Sequence, residues 1–156
     1  MKDVDGNIAD SCSPLADHHL EDQRRFRRKG YTREEVDHAR SAVAQQLHGY
    51  RQLVKAGAAS PDFETLFFNN MTIVLDRYFV HRLRIVTGKD GNALNEVQML
   101  ADSLMNNGTL RANNVIKFIP DQSVTKLHIG DPVRLTAEDF ERLSAAFFAE
   151  IERKFL

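Results

Sequence analysis

Apolar residues recur at helical spacing in four stretches of the chain, and the first stretch starts at a clear N-terminal signal. In "YTREEV", Thr32 can cap a helix and Glu35 can complete a capping box three residues later. Gly57 then suits the left-handed position that follows a helix C-terminus. The apolar positions in between form one stripe that is predicted to face the core: Val36, Val43, Leu47, Tyr50 and Val54.

The second stretch predicts a long central helix that begins at Pro61 and runs to about Val86, where "TGKDGN" breaks it. On a helical wheel its apolar residues form one broad face, with Phe67, Met71, Val74, Leu75, Tyr78 and Ile85 at its centre and Phe68, Phe79 and Val86 at its edges. The opposite face is predicted to carry the polar residues Asn69, Asn70, Thr72, Asp76, Arg77 and Arg84.

Two further helices are predicted, one after the cap residue Asn92 and one after Thr136, where Asp139 completes a second capping box. Gly108 suits the end of the third helix. The apolar stripes are Leu94, Val97, Ala101 and Leu104 in the third helix, and Phe140, Leu143, Phe147, Ile151 and Phe155 in the fourth.

Between the third and fourth helices the apolar period changes to two, which is typical of strands. Three apolar pairs each flank one polar residue: Ile116 and Phe118, Leu127 and Ile129, Val133 and Leu135. The stretches "IPDQS" and "IGDP" supply turns. The predicted fold class is therefore mainly α, a four-helix bundle-like domain with a small β-hairpin or meander before the last helix.

Composition separates an N-terminal tail from this domain. The first 22 residues carry six acidic residues and one lysine, so residues 1–30 are predicted to be disordered or poorly ordered and residues 31–156 to form a single helical domain. A cationic run follows the acidic segment, with Arg24, Arg25, Arg27, Arg28 and Lys29. This run is the one candidate for a nucleic-acid contact, but the net charge of −1 and the lack of a matching basic face favour a solvated charge run.

Several classes of protein are excluded by what the sequence lacks. No apolar run approaches the roughly 20 residues of a membrane span, and the N-terminus has no signal-peptide core. The single cysteine, Cys12, excludes an internal disulfide and agrees with a reducing compartment, so a cytoplasmic protein is expected. The chain has no GxGxxG, GxxxxGK[ST], HExxH or CxxC motif, and none of its six histidines forms an i,i+4 pair. Neither a metal nor a cofactor is predicted.

One cation interrupts the predicted core. Arg82 falls near the centre of the apolar arc of the second helix, with His81 at the edge of that arc. An unpaired arginine there would be very costly, so it needs a carboxylate or access to water. Glu96 is the preferred partner, ahead of Asp90, Asn95 and Asp102, because the third helix is predicted to fold back after a short loop. Alternatively, Arg82 snorkels to the nearby end of the bundle.

The same region supports a functional interpretation, a polar pocket at that end of the bundle. Donors and one acceptor would converge there from Tyr78, His81, Arg82, Lys89 and Glu96. Arginine and lysine in such a pocket would suit a carboxylate or phosphate ligand.

Two segments, "DRYFVHRLRIVTGKDGNALNEVQMLADSLM" and "IGDPVRLTAEDFERLSAAFFAEIERKF", resemble a family of conserved hypothetical proteins from actinobacteria. The resemblance covers roughly residues 60–155 and leaves the N-terminal tail outside it. It implies a bacterial cytosolic protein and carries no particular activity.

The leading hypothesis for function is a non-catalytic binding or homodimeric assembly module. Four apolar residues flank arcs that are already wide enough for an intramolecular core, so some of them are predicted to form a dimer interface: Phe68, Phe79, Val86 and Phe148. The alternative, from another class, is an enzyme or a binder of an anionic small molecule that uses the polar pocket described above.

Overall fold

Four α-helices pack together in the computed structural model, which describes residues 30–83 and 87–156 and, for residues 79–83, the backbone alone. They are α1 (Arg33–Lys55), α2 (Pro61–Leu83), α3 (Ala93–Leu104) and α4 (Ala137–Phe155), and a short 3₁₀ helix (Pro120–Gln122) lies between α3 and α4. The mainly α class is confirmed. The predicted tail up to residue 29 and residues 84–86, the expected end of α2, lie outside the described residues.

The helix ends follow the local sequence signals. The Thr32 hydroxyl accepts from the Glu35 amide at 3.1 Å while the Glu35 carboxylate accepts from the Thr32 amide at 3.0 Å, so the predicted capping box is present. Thr136 and Asp139 form the second box, and Asn92 caps α3. Each cap satisfies amides that have no partner within the helix, which fixes where the helix begins.

α1 and α4 lie antiparallel. Arg40, in the first half of α1, pairs with Glu152 near the end of α4 at 2.8 Å. Arg51, near the end of α1, pairs with Glu141 near the start of α4 at 2.6 Å. α3 packs against both α2 and α4, and α4 also contacts α2. α1 contacts α4 and, through the Tyr50 ring, the aromatic residues of α2.

The orientation of α2 differs from the prediction. Phe68, Met71 and Leu75 are buried, but Thr72 and Asp76, which the wheel placed on the polar side, are buried beside them. Val74 and Tyr78, placed in the core arc by the wheel, are exposed. The prediction was wrong at these four positions because α2 carries apolar residues almost all the way round, so its pattern does not identify which side faces the core. Burial of Thr72 is compatible with an apolar neighbourhood because its hydroxyl donates to the Phe68 carbonyl oxygen at 2.9 Å.

Two of the residues assigned to a dimer interface belong to the core instead. Phe68 has an exposed fraction of 0% and Phe148 of 2%. Phe148 packs edge-on against Phe147, and the Arg40 guanidinium lies over its ring at 5.3 Å from the centroid. These rings are therefore not available to a second molecule. The side chains of Phe79 and Val86 lie outside the described residues.

The predicted hairpin or meander is also wrong, because the described residues contain no β-strand. Two isolated bridges, Asp90 with Lys117 and Thr109 with Pro132, are the β-type pairs recorded between α2 and α4. Proline removes ladder donors at positions 120 and 132, and Lys126 adopts a positive φ of 60° that interrupts an extended backbone. The alternating apolar residues instead anchor an irregular segment, with Ile116, Val133 and Leu135 buried in the core.

Candidate functional site

Glu96 is a buried carboxylate in the first turn of α3, with an exposed fraction of 1%. Its Oε2 accepts from the Val124 amide at 2.8 Å. Its Oε1 accepts from the Thr125 amide at 2.9 Å and from the Thr125 hydroxyl at 2.6 Å. These three bonds tie the irregular segment before α4 to α3, and each is strengthened because the acceptor can carry a full negative charge.

Two other residues of the predicted polar pocket lie at the surface. Tyr78 has an exposed fraction of 41%, and Lys89 is exposed. The side chains of His81 and Arg82 lie outside the described residues, so the pairing of Arg82 with Glu96 stays a prediction. Glu96 already accepts three hydrogen bonds, so an ion pair with Arg82 would have to form in addition to them.

Two side chains of α2, Asn69 and Glu64, hold the segment that leads into α4. The Asn69 amide nitrogen donates to the Val133 carbonyl oxygen at 2.9 Å, and its oxygen accepts from the Leu135 amide at 3.2 Å. Glu64 accepts from the Ala137 amide, in the first turn of α4, at 2.9 Å. Asn69 therefore takes the place of a neighbouring strand, satisfying a backbone donor and acceptor that a sheet would otherwise pair.

Glu64 also influences α1 through Tyr50. Burial raises the pKa of the Tyr50 phenol above its ordinary value, and the Glu64 carboxylate raises this pKa further by its charge and by accepting a hydrogen bond from the phenol hydroxyl. The Tyr50 ring packs edge-on against Phe68 with centroids 4.8 Å apart. One glutamate thus joins α1, α2 and the start of α4.

Replacing Asn69 by alanine is expected to lower the free energy of unfolding by about 1–3 kcal/mol, because both backbone groups of the 133–135 segment lose their partner. Asn70→Ala is the matched control, since Asn70 is exposed on the next position of the same helix and its replacement should change stability by less than about 0.5 kcal/mol. Urea denaturation of dilute protein measures both values. Equal effects of the two substitutions would contradict the role assigned to Asn69.

A small cleft lies between the end of α3 and the segment that follows it. It is lined by Met99, Asp102, Ser103, Asn106, Arg111 and Asn113 and encloses about 180 Å³. Ligand pockets usually enclose about 300–1,000 Å³, so this cleft is small for an organic substrate. It also lies among residues other than those predicted to form the polar pocket.

The described part of the chain shows neither a metal-binding cluster nor a helix suited to a membrane. No group of three or more histidine, cysteine, aspartate or glutamate side chains is arranged there to hold a metal ion. Within the same residues, no helix combines the length and the apolar character that a membrane crossing requires.

An apolar surface runs along one side of α2. Phe63, Leu66, Val74 and Tyr78 are exposed by 40%, 64%, 40% and 41%, although all four are large apolar or aromatic residues. We call this surface the outer face of α2. The sequence-based interpretation did not single out Phe63 or Leu66, yet a signal existed: a helix that is apolar all round in a small domain has more apolar surface than its own core can cover.

Comparisons with protein-family models, with curated proteins and with solved structures found no match to this chain.

Proposed function

We propose that this chain is a non-catalytic assembly module that self-associates through the outer face of α2. The observation that carries the proposal is the alignment of Phe63, Leu66, Val74 and Tyr78 on one solvent-facing side of a regular helix. Large apolar side chains that share one exposed side of a helix are typical of surfaces where proteins associate. The bacterial cytosol implied by the sequence resemblance is the proposed location.

A second copy of the chain is the occupant that the charges favour. The outer face carries an exposed acid, Asp62, at its N-terminal end and an exposed base, Arg77, at its C-terminal end. A face with opposite charges at its two ends is complementary to itself when turned around, whereas it offers no surplus charge to a strongly acidic or basic partner. The net charge of −1 adds little repulsion between two copies.

The same geometry gives less support to the alternative, a site for an anionic ligand near the end of α2. Glu96 would place a negative charge in that site, and its two oxygens already accept bonds from Val124 and Thr125. An anion would have to approach this carboxylate, which is unfavourable unless several cations surround it. Self-association is therefore better supported than binding of an anionic ligand.

Sedimentation equilibrium of the full chain at micromolar concentrations should show a reversible dimer. Leu66→Glu should weaken that dimer at least about tenfold, because a charge placed at the centre of an apolar contact must be desolvated. Val115→Glu is the control, since Val115 is 60% exposed but lies on the segment between α3 and α4. A wild-type chain that stays monomeric throughout, or equal weakening by both variants, would overturn the proposal.

A further inference from the structure

The exposed residues of α2 form a mirrored series around Asn70. Leu66 and Val74 each lie four residues from Asn70, Phe63 and Arg77 each lie seven away, and Asp62 and Tyr78 each lie eight away. All of these residues are exposed, and together with Pro61 they are the exposed positions of α2 up to residue 78. Offsets of four, seven and eight keep side chains on one side of an α-helix, so the series is one continuous stripe.

Mirrored residues also suit each other chemically. Leu66 and Val74 are both apolar and of similar size. Phe63 is matched with Arg77, and a guanidinium over an aromatic ring is a favourable contact. Asp62 and Arg77 lie about 80° and about 20° from Asn70 in the same direction around the helix, so in an antiparallel pair Asp62 lies on the same flank as Arg77 of the second copy, where the opposite charges can pair.

We propose, building on the self-association argued above, that two copies pair through α2 in antiparallel orientation about a two-fold axis that passes beside Asn70. Each pair just described then occurs twice, as an isologous interface requires. Asn70 meets Asn70 of the second copy on the axis, where two amides can exchange hydrogen bonds. A single polar residue at the centre of an apolar helix contact fixes its register, because any shift leaves the amides without partners.

The size of the surface sets the strength of this dimer. From Asp62 to Tyr78 the stripe is about 24 Å long, at about 1.5 Å per residue. A contact one helix wide over this length is smaller than the roughly 800 Å² per partner of a standard interface. The pair is therefore a weak and readily exchanging dimer, with a dissociation constant in the micromolar range.

Cysteine cross-linking in a Cys12→Ser background tests the register. Asn70→Cys should form a disulfide-linked dimer on mild oxidation, because the axis brings the two positions within the roughly 4.4–6.8 Å between Cα atoms that a disulfide needs. Leu66→Cys alone should not link to itself, since the two copies of position 66 lie about 12 Å apart along the helices. A mixture of Leu66→Cys and Val74→Cys chains should link to each other.

The outcomes separate this inference from the proposed function. Self-linking of Leu66→Cys would indicate parallel pairing and overturn the register. A chain that dimerises in sedimentation but cross-links at none of these positions would also overturn the register. Self-association would then use another surface. A strictly monomeric chain would overturn both.

Charge reversal gives a second readout of the same geometry. Asp62→Arg and Arg77→Asp should each weaken the dimer by about five-fold, because each creates two like-charge contacts across the axis. The double variant should recover most of the wild-type affinity, because each pair again joins opposite charges, with the acid and the base exchanged. Asp37→Arg, a reversal of an exposed acid on α1, is the control that should leave the affinity unchanged. Failure of the double variant to recover would contradict the pairing.

Discussion

Replacing Glu96 by alanine is expected to lower the free energy of unfolding by about 3–5 kcal/mol. The variant loses three hydrogen bonds made by a buried carboxylate, and the Val124 and Thr125 amides lose their acceptors. It also leaves space in the core beside α3, where Glu96 is 1% exposed. Chemical denaturation followed by circular dichroism measures the change.

A graded set of variants distinguishes these contributions. Thr125→Val removes the hydroxyl bond alone and should lower stability by about 1–1.5 kcal/mol. Glu96→Gln keeps the volume but offers one acceptor oxygen where the carboxylate offers two, so an amide group must face the Val124 or Thr125 donors. Its effect should lie between those of the other two. If Glu96→Ala and Thr125→Val were equally mild, the anchoring role of the carboxylate would be wrong.

The proposed pairing of Arg82 with Glu96 can be tested in the same series. If the two side chains interact, the effects of Arg82→Ala and Glu96→Ala on stability will be non-additive by about 0.5–3 kcal/mol, because the second substitution removes a contact that the first has already broken. Additive effects would mean that Arg82 reaches solvent at the end of the bundle, as in the alternative considered from the sequence.

Replacing Phe68 by alanine is expected to lower the free energy of unfolding by a similar amount, about 3–5 kcal/mol. The ring has no exposed surface and contacts aromatic residues of three helices, with centroids 4.8 Å from Tyr50, 5.0 Å from Phe67 and 5.4 Å from Phe140. Its loss leaves a cavity that α1, α2 and α4 cannot close without moving together. Thermal and urea denaturation measure the change.

Phe63→Ala is the matched control, because Phe63 precedes Phe68 on the same helix and belongs to the same aromatic group but is 40% exposed. In dilute protein its replacement should lower stability by less than about 1 kcal/mol. In self-association the order should be reversed: Phe63→Ala should weaken the dimer more than Phe68→Ala does, because Phe63 is part of the outer face. Comparable destabilisation by both would mean that the core is centred elsewhere on α2.

Helix ends were predictable because their causes are local. A capping residue, its partner three positions later and a glycine at the far end act within one turn, and Thr32, Asn92, Thr136 and Gly57 all behave as their neighbours in the sequence dictate.

The core stripes of α1 and α4 were largely predictable for a related reason: each of these helices has a polar side that contrasts with its apolar one. The exception in α1 is Val54, which was predicted to face the core and is 51% exposed. α3 differs because its polar residues Asn95, Glu96 and Ser103 are buried together with its apolar stripe.

The orientation of α2 and the segment before α4 depend on partners that are distant in the sequence. Nothing near Asn69 or Glu96 indicates that their side chains bind backbone groups of residues 133–135 and 124–125. Alternation of apolar residues predicted strands there, but the same alternation also arises when an irregular segment inserts every second side chain into a core. The candidate interface shifted for the same reason, from Phe68 to Phe63 and Leu66.

The anchoring of this segment has a consequence for how such a chain can change in length over evolution. In a sheet, one inserted residue shifts the register and turns every following side chain to the other face. Here the side chains of Glu96, Asn69 and Glu64 each accept a hydrogen bond from a backbone amide at a separate point of the segment. The exposed stretch around Ala112 lies away from those points, so insertions and deletions there can accumulate while the helices and their anchors keep their places.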